Sequence, residues 1–348
     1  MLVEQALEAL ALRPGGLYID ATFGRGGHSA RILQALGPDG QLIAIDRDPA
    51  AIAAGRSRFA QEARLQLVHG EFGELAALVR AHTTRPQCDG VLFDFGVASP
   101  QLDDAARGFS FSKDGPLDMR MDPTRGQPAS VWLAHAGLDE IRTVIATLGE
   151  ERFANRIAAA IVRDRAVAPL SRTGELAGLV SRNVRTREPG KHPATRTFQA
   201  LRMHVNDELG QIERGLQQAL QLLAAGGRLV AISFHSLEDR IVKRFMTERA
   251  GREPAGSRHQ PPKAGGPRPT FTLLFNGARG PSEAEIAANP RARSAKLRFA
   301  IRSEAPARDT GTTFLLTDGG LYLIRRPAVD MRNKAHERDV ELGIAGAG

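Results

Sequence analysis

The stretch from Leu17 to Ser29 constrains this chain more than any other. Leu17-Tyr18-Ile19-Asp20 is a short apolar run closed by an acid, the pattern of a buried strand. Gly24-Arg25-Gly26-Gly27 follows; its glycines let the backbone turn tightly and bring amide groups close to a ligand. Ala30 to Leu36 then has helical spacing and stops at Gly37-Pro38. Strand, glycine turn and helix make the opening unit of a nucleotide-type binding site. An ordinary tight turn would use the same glycines, so the next unit matters. Gln41 to Ile45 reads as a second strand, and Asp46 at its end lies 20 residues after Gly26. A Rossmann-like site places a carboxylate there for ribose hydroxyls. A solvated strand-end acid is the alternative. Asp48 then caps a helix that opens with Pro49.

Further strands are expected at Leu65 to His69 and Val91 to Asp94, with helices between them and a short amphipathic helix on Val3, Leu7, Leu10 and Leu12. Strands alternating with helices predict a parallel sheet covered on both faces. Ligands in such sheets sit beyond the carboxyl ends of the strands. Gly26, Asp46, Phe72 and Asp94 all fall at such ends. Phe72 could pack on an adenine ring or close the core.

The alternation breaks after Asp94. Val97 to Gln127 reads as a long loop, but one mixing acids, arginines and apolar anchors, so an ordered loop is expected. Helical spacing returns from Ser130, with Phe153, Ile157 and Ile161 on one face and a further helix over Thr173 to Asn183. One long helix is expected from Ala194 to Leu223, stopping at Ala225-Gly226-Gly227. A fifth strand is read over Arg228 to Phe234. Residues 107–207 therefore form a helical insert within an α/β domain made of 1–106 and 208–302, and 303–348 is a tail. Gly251 to Arg268 reads as a mobile loop, Phe271 to Phe275 and Ala295 to Arg302 as closing strands, and Asp318-Gly319-Gly320 as a hairpin turn.

Charge narrows the function classes. The 348 residues carry a formal net charge of +8. Arg152 to Arg202 alone holds 11 basic and 3 acidic residues, and Gly251 to Arg302 holds 10 and 3, so the remainder is net acidic. Two concentrated basic regions suggest a polyanionic partner, although solvated helix faces would give the same counts. Aromatic residues are only 5%, too few for a broad base-stacking platform. No apolar run approaches the ~20 residues of a membrane span. Cys88 is the single cysteine, which excludes an intramolecular disulfide and a thiolate metal cage and fits a reducing, cytoplasmic setting. A nicotinamide oxidoreductase would explain Gly26 and Asp46 but not the basic insert. A non-catalytic RNA-binding factor would explain the charge but not the convergent strand ends.

Several stretches resemble the bacterial ribosomal RNA cytidine N4-methyltransferases of the MraW (RsmH) family. They are Asp20 to Ser29, Ala44 to Pro49, Asp94 to Asp122, Gly149 to Ile161, His192 to Glu208, Gly226 to Lys243 and Asn289 to Arg298. Phe234-His235-Ser236-Leu237-Glu238-Asp239-Arg240 and Gly115-Pro116-Leu117-Asp118-Met119-Arg120-Met121-Asp122 are the most specific. The resemblance implies a class I S-adenosylmethionine-dependent methyltransferase fold with a helical insert. It implies a cytidine of small-subunit ribosomal RNA, in the decoding region of the 30S particle, as substrate. It also implies cofactor contacts at Gly26, Gly27, His28, Asp46, Phe72, Asp94 and Gln101. Two departures stand out. Asp94-Phe95-Gly96-Val97-Ala98-Ser99 replaces the usual Asp-Leu-Gly-Val-Ser-Ser, and the usual His-x-Pro-Val before the first helix is absent.

A cytidine amine is a poor nucleophile, so its transfer chemistry needs in-line placement and an acceptor for the amine protons, and no metal. Asp94 is the first candidate acceptor. His235 and Ser236 are the second candidates, with a helix-start structural role as the alternative for His235. Asp118 and Arg120 could orient a flipped base or pair with each other. Arg182, Arg185, Arg187, His192, Arg196 and Arg202 are the candidate contacts to RNA.

Overall fold

The computed structural model describes residues 1–184, 192–252, 268–275 and 277–307, with the backbone of 312–317 and 320–325. Seven strands form one sheet: β1 Leu17–Asp20, β2 Gln41–Asp46, β3 Leu65–His69, β4 Cys88–Asp94, β5 Leu223–Ser233, β6 Phe271–Thr272 and β7 Lys296–Arg302. Their order is β3-β2-β1-β4-β5-β7-β6. The first five run parallel, β7 lies antiparallel to β5, and β6 antiparallel to β7. All four residues of β1 are buried, as a strand covered on both faces requires, which explains its unbroken apolar run. The chain leaves β1 to one side for β2 and β3, then returns to its other side for β4 and β5. That reversal opens a crevice beyond the carboxyl ends of β1 and β4.

Helix α1 Val3–Leu10 precedes β1, and α2 Gly27–Ala35, α3 Pro49–Arg58 and α4 Leu75–Arg80 connect the first four strands. Asp48 accepts from the Ala50 N–H at 3.0 Å, and Pro49 occupies the first position of α3, as expected. Leu2, Leu10, Ile32, Leu42 and Val230 share one apolar cluster, so α1 and α2 cover the same part of the sheet.

The long loop after β4 is ordered. It contains α5 Ser99–Asp103 and a 3₁₀ turn over Ala105–Arg107, and it buries Leu117, Met119 and Met121. Five helices follow: α6 Ala129–His135, α7 Leu138–Leu148, α8 Ala154–Arg165, α9 Thr173–Asn183 and α10 Thr195–Val205. They pack on one another through Ile141, Ile145, Ile157, Ile161, Val180 and Leu201. Helix α9 has the bounds read from its spacing.

The single helix expected from Ala194 to Leu223 is two. It ends at Val205, and α11 Glu208–Leu222 begins after Asp207, whose φ of 47° is left-handed. The Asn206 side chain gives the reason. Its Nδ2 donates to Met119 O at 2.7 Å, and its Oδ1 accepts from Met121 N at 2.8 Å. Two long-range bonds to the loop thus fix the helix break. Strand β5 starts five residues earlier than expected. Ala225-Gly226-Gly227, read as a helix stop, lies inside it, with an irregular register against Cys88 and Gly90 on β4. The strand expected over Phe271 to Phe275 is reduced to Phe271–Thr272. Two further helices, α12 Ser236–Arg249 and α13 Glu283–Ala288, belong to this unit, which spans Met1–Ala307. Most of the loop expected from Gly251 to Arg268 lies outside the described residues. The second unit, Arg308–Gly348, contains an antiparallel pair, β8 Thr312–Thr317 and β9 Gly320–Arg325, matching the expected hairpin; Asp318 and Gly319 themselves are outside the described residues.

Candidate active site at the carboxyl edge of the sheet

The glycine turn after β1 is conformationally required. Gly26 has φ 71°, and a Cβ there would stand 2.7 Å from the Phe23 ring and 2.8 Å from Phe59. Gly27 starts α2, no side chain caps that helix, and a Cβ on Gly27 would meet nothing within 4 Å. The start of the helix at Gly27 therefore borders open space, and a helix N-terminus favours a negatively charged or hydroxylated ligand group.

Asp46 stands at the end of β2. Its Oδ2 accepts from Gly24 N at 2.6 Å and its Oδ1 from Asp48 N at 2.8 Å. Burial pushes its pKa up to about 6 against these two donors. Each oxygen keeps a further lone pair for a ribose hydroxyl. Asp20, which the sequence reading passed over, is fully enclosed behind it. It accepts from Ser29 Oγ at 2.7 Å and Thr22 N at 3.2 Å, and burial raises its pKa to about 6.

Asp94 closes β4. Its backbone N–H donates to Thr22 Oγ1 at 2.7 Å, which ties the end of β4 to the turn after β1. Its Oδ2 lies 3.6 Å from His28 Nδ1 and 3.8 Å from the Met1 amine. Its Oδ1 is buried with no hydrogen-bond partner. Burial pushes the Asp94 pKa up to about 7. The Met1 amine opposes that rise, and the Asp20, Glu238 and Glu285 carboxylates add to it. His28 is buried, its Nε2 donates to Met1 O at 3.0 Å, and burial lowers its pKa to about 4, so its ring is neutral at pH 7.

The other expected cofactor residues are tied into the protein. Phe72 starts a 3₁₀ turn after β3 and packs on Phe93 and Phe95, with centroids 5.6 and 5.9 Å away. That is the core-closing arrangement, with its ring left half-exposed. Gln101 is buried; its Nε2 donates to Asp48 Oδ2 at 2.9 Å, and its Oε1 accepts from Ala98 N at 3.0 Å. Asp48, read from sequence only as a helix cap, thus also holds the loop after β4. Its second bond joins residues 53 positions apart, and no local pattern encodes that.

His235 caps α12, with Nδ1 accepting from Glu238 N at 3.5 Å and Nε2 lying 3.0 Å from Glu238 Oε1. Both ring nitrogens face Glu238, which is the helix-start arrangement. Burial opposes ionisation of Glu238, but His235, the Phe234 N–H and Arg202 hold its carboxyl below the usual range. Glu208, His235 and Glu238 bring ligand-type atoms within 4.8 Å of one another. Arg202 engages Glu208, and the capping bonds use His235 Nδ1 and Glu238 Oε2, while His235 Nε2 and Glu238 Oε1 are buried without a hydrogen-bond partner.

Asp118 and Arg120 form the loop-internal alternative: Arg120 Nε and Nη2 donate to the two Asp118 oxygens at 2.8 and 2.7 Å. Of the expected RNA contacts, Arg182 is exposed and 3.8 Å from Asp164. His192 is exposed and stacks on Phe111 at 4.5 Å, and Arg196 donates to Glu150 O at 2.8 Å. Arg202 is turned inward. Its Nε and Nη2 donate to Glu208 at 2.7 and 2.8 Å, and only 16% of its side chain is exposed, so it is not available to a phosphate. Arg185 and Arg187 lie outside the described residues.

The strand order with a reversed β7, the open glycine turn and the acids ending β2 and β4 define a class I S-adenosylmethionine-dependent methyltransferase. The chain belongs to the MraW methylase family, whose model matches residues 1–303. It is 54% identical over 307 residues to proteins named ribosomal RNA small subunit methyltransferase H from Burkholderia mallei (strain SAVP1) and Burkholderia pseudomallei (strain 668), covering 87% of this chain and 96% of each relative. A solved rRNA methylase from Streptococcus thermophilus aligns over 87% of this chain and 94% of its own, at 11% identity and a TM-score of 0.37. Among the described residues no helix is long and apolar enough to cross a membrane.

Proposed function

We propose that this chain transfers a methyl group from S-adenosylmethionine to the exocyclic N4 amine of a cytidine in the decoding region of 16S ribosomal RNA. It acts on a 30S particle in the cytoplasm. The observation that carries the reading is Asp94: a buried carboxylate oxygen without a partner, at the end of β4, joined through Thr22 to the glycine turn. The family membership and the relatives' names support the ribosomal substrate.

The residues fit the cofactor. Gly26 and Gly27 border an open helix start, and Asp46 offers spare lone pairs at the distance along the chain expected for ribose recognition. His28, Phe72 and Gln101 support that edge as packed neighbours. When bound, S-adenosylmethionine supplies the electrophilic methyl group. Asp94 orients the cytidine amine by accepting one of its N–H bonds, so that the nitrogen lone pair faces the methyl carbon. Asp94 would take the proton that the amine gives up on receiving the methyl group, whose bond to the sulfonium sulfur breaks in the transfer. The base must leave its stack to reach this edge. His235 is the second candidate acceptor. Residues 107–207 hold the RNA, with Arg182, Arg185, Arg187, His192 and Arg196 facing phosphates, while 1–106 and 208–302 hold the cofactor.

Single-turnover transfer of labelled methyl to 30S particles from a strain lacking the activity tests this reading, with mass mapping of the product. One N4-methylated cytidine is expected. An Asp94→Ala chain at saturating cofactor and particle should lose at least about a hundredfold in rate, and His235→Ala less. Label on another nucleotide overturns the substrate assignment. Near-normal transfer by Asp94→Ala moves the acceptor to His235 or to a backbone carbonyl of the Phe95-Gly96 turn.

A further inference from the structure

The two residues that follow Asp46 carry an unusual share of the long-range bonds in this fold. Asp48 is 4% exposed. Its Oδ1 caps α3, and its Oδ2 accepts from Gln101 Nε2 at 2.9 Å and from Arg107 Nη1 at 2.8 Å. The other arm of Arg107 donates to Met121 O at 2.7 Å and Arg120 O at 3.2 Å, and the Arg107 carbonyl accepts from Met119 N at 3.1 Å. Arg47 takes a second route. It donates to Glu71 Oε1 at 2.8 Å and to Asn206 O at 2.7 Å, and Asn206 grips Met119 and Met121 from the opposite side. His69 Nε2 lies 3.0 Å from Arg47 O and 3.2 Å from Asp122 Oδ2, a third tie to the same segment.

Residues 119–122 are therefore suspended from the Arg47-Asp48 dipeptide by three independent routes. The dipeptide is in turn bonded to Asp46, because Asp46 Oδ1 accepts the Asp48 N–H. A ligand hydroxyl on Asp46 and the loop after β4 thus share one turn of backbone. We infer that Asp48 and Arg107 are positioning residues that make cofactor binding and RNA binding mutually favourable, the RNA-facing loop being ordered through the turn that holds the cofactor's ribose. This inference rests on the methyltransferase reading above and adds a coupling between its two sites.

The physical basis is shared ordering. Fixing the 46–48 turn removes freedom that the loop would otherwise lose when RNA binds, so the second ligand meets a smaller entropic cost. Linkage makes the effect reciprocal: RNA must tighten cofactor binding by the same factor. Arg107 suits the task because its planar fork holds a carboxylate with one arm and carbonyls with the other, which a lysine ammonium cannot reproduce.

Binding of a decoding-region RNA fragment or 30S particle is measured with and without saturating S-adenosylhomocysteine. The affinity of S-adenosylhomocysteine alone is measured separately. In the wild-type chain S-adenosylhomocysteine should tighten RNA binding by about fivefold or more, within the usual range of intersite coupling. Arg107→Lys should keep S-adenosylhomocysteine affinity within about twofold while the coupling factor falls below about two. Asp48→Asn keeps the α3 cap but turns an amide toward Gln101 and Arg107. It should give the same loss and provides the second variant if Arg107→Lys folds poorly. Wild-type coupling in both folded variants overturns the inference, as does a wild-type chain that binds each ligand without regard to the other. A wild-type chain that does not bind S-adenosylhomocysteine at all overturns the methyltransferase reading instead.

Discussion

At Asp94 the site's chemistry works against the fold's stability. Its carboxyl has a folded pKa of about 7 against an ordinary value of 3.8. A group with a raised folded pKa contributes stability that is full below its unfolded value and is lost as pH rises through the folded one. The wild-type chain should therefore lose stability from this residue between about pH 4 and pH 7. Asp94→Asn removes the titration. Its melting temperature relative to wild type should climb across that interval and level off above it, while methyl transfer falls. A difference in melting temperature that is flat from pH 4 to pH 8 would show that Asp94 ionises as freely in the folded chain as in the unfolded one. The wild-type kcat/KM should rise through about pH 7, because that ratio follows ionisations of the free enzyme. Asp46 makes the separate cofactor test. Two charge-assisted hydrogen bonds at about 1.5–3 kcal/mol each imply that Asp46→Ala weakens S-adenosylmethionine by at least about tenfold. Unchanged affinity in the folded variant would remove Asp46 from the site. Both acids were legible in sequence because each ends an apolar strand, Asp46 also at the expected spacing from the glycine turn. Thr22 lay in the same motif, but its role rests on a long-range bond from the Asp94 N–H that no spacing reveals.

At the scale of elements, the break between α10 and α11 shows where local reading stops. The residues from Ala194 to Leu223 have uninterrupted helical spacing, and neither glycine nor proline marks Asn206-Asp207. The break is set by bonds that Asn206 makes to residues 85 and 87 positions away. Asparagine is a weak helix former because its amide competes for backbone groups, and here that competition is won by the loop. The same logic separates what the sequence revealed about α9 from what it hid about Asp48. Helix α9 follows from its own spacing, whereas the Asp48 bonds need the loop already in place. Asn206→Ala leaves Met119 O and Met121 N buried without partners. At about 1–3 kcal/mol for each unsatisfied group, the variant should lose roughly 2–6 kcal/mol in urea unfolding. A loss under about 1 kcal/mol would mean that water replaces the amide and that the loop does not depend on it.

Across the whole molecule, charge and topology divide the labour. The parallel sheet and its carboxyl-edge acids lie in a part of the chain that is net acidic, while Arg152 to Arg202 carries 11 basic residues against 3 acidic ones. The fold inserts this basic region between β4, which ends in Asp94, and its neighbour β5. Some of its arginines are spent internally: Arg202 on Glu208, and Arg165 on the carbonyls of Leu133 and Ala136. The raw count of positive charge therefore overstates what RNA can meet, and composition could not have told these apart. Arg182, with 69% of its side chain exposed, is of the other kind. Reversing Arg182, Arg185 and Arg187 to Glu should weaken RNA binding and leave S-adenosylhomocysteine affinity within about twofold. Each lost phosphate contact lowers the slope of log K against log salt by about 0.7–0.9, so three should flatten it by roughly 2. A triple variant with wild-type affinity and slope would remove this end of the insert from the RNA surface. A variant weakened at every salt concentration with an unchanged slope would mean that the substitutions disturbed the packing of α9 rather than its electrostatics.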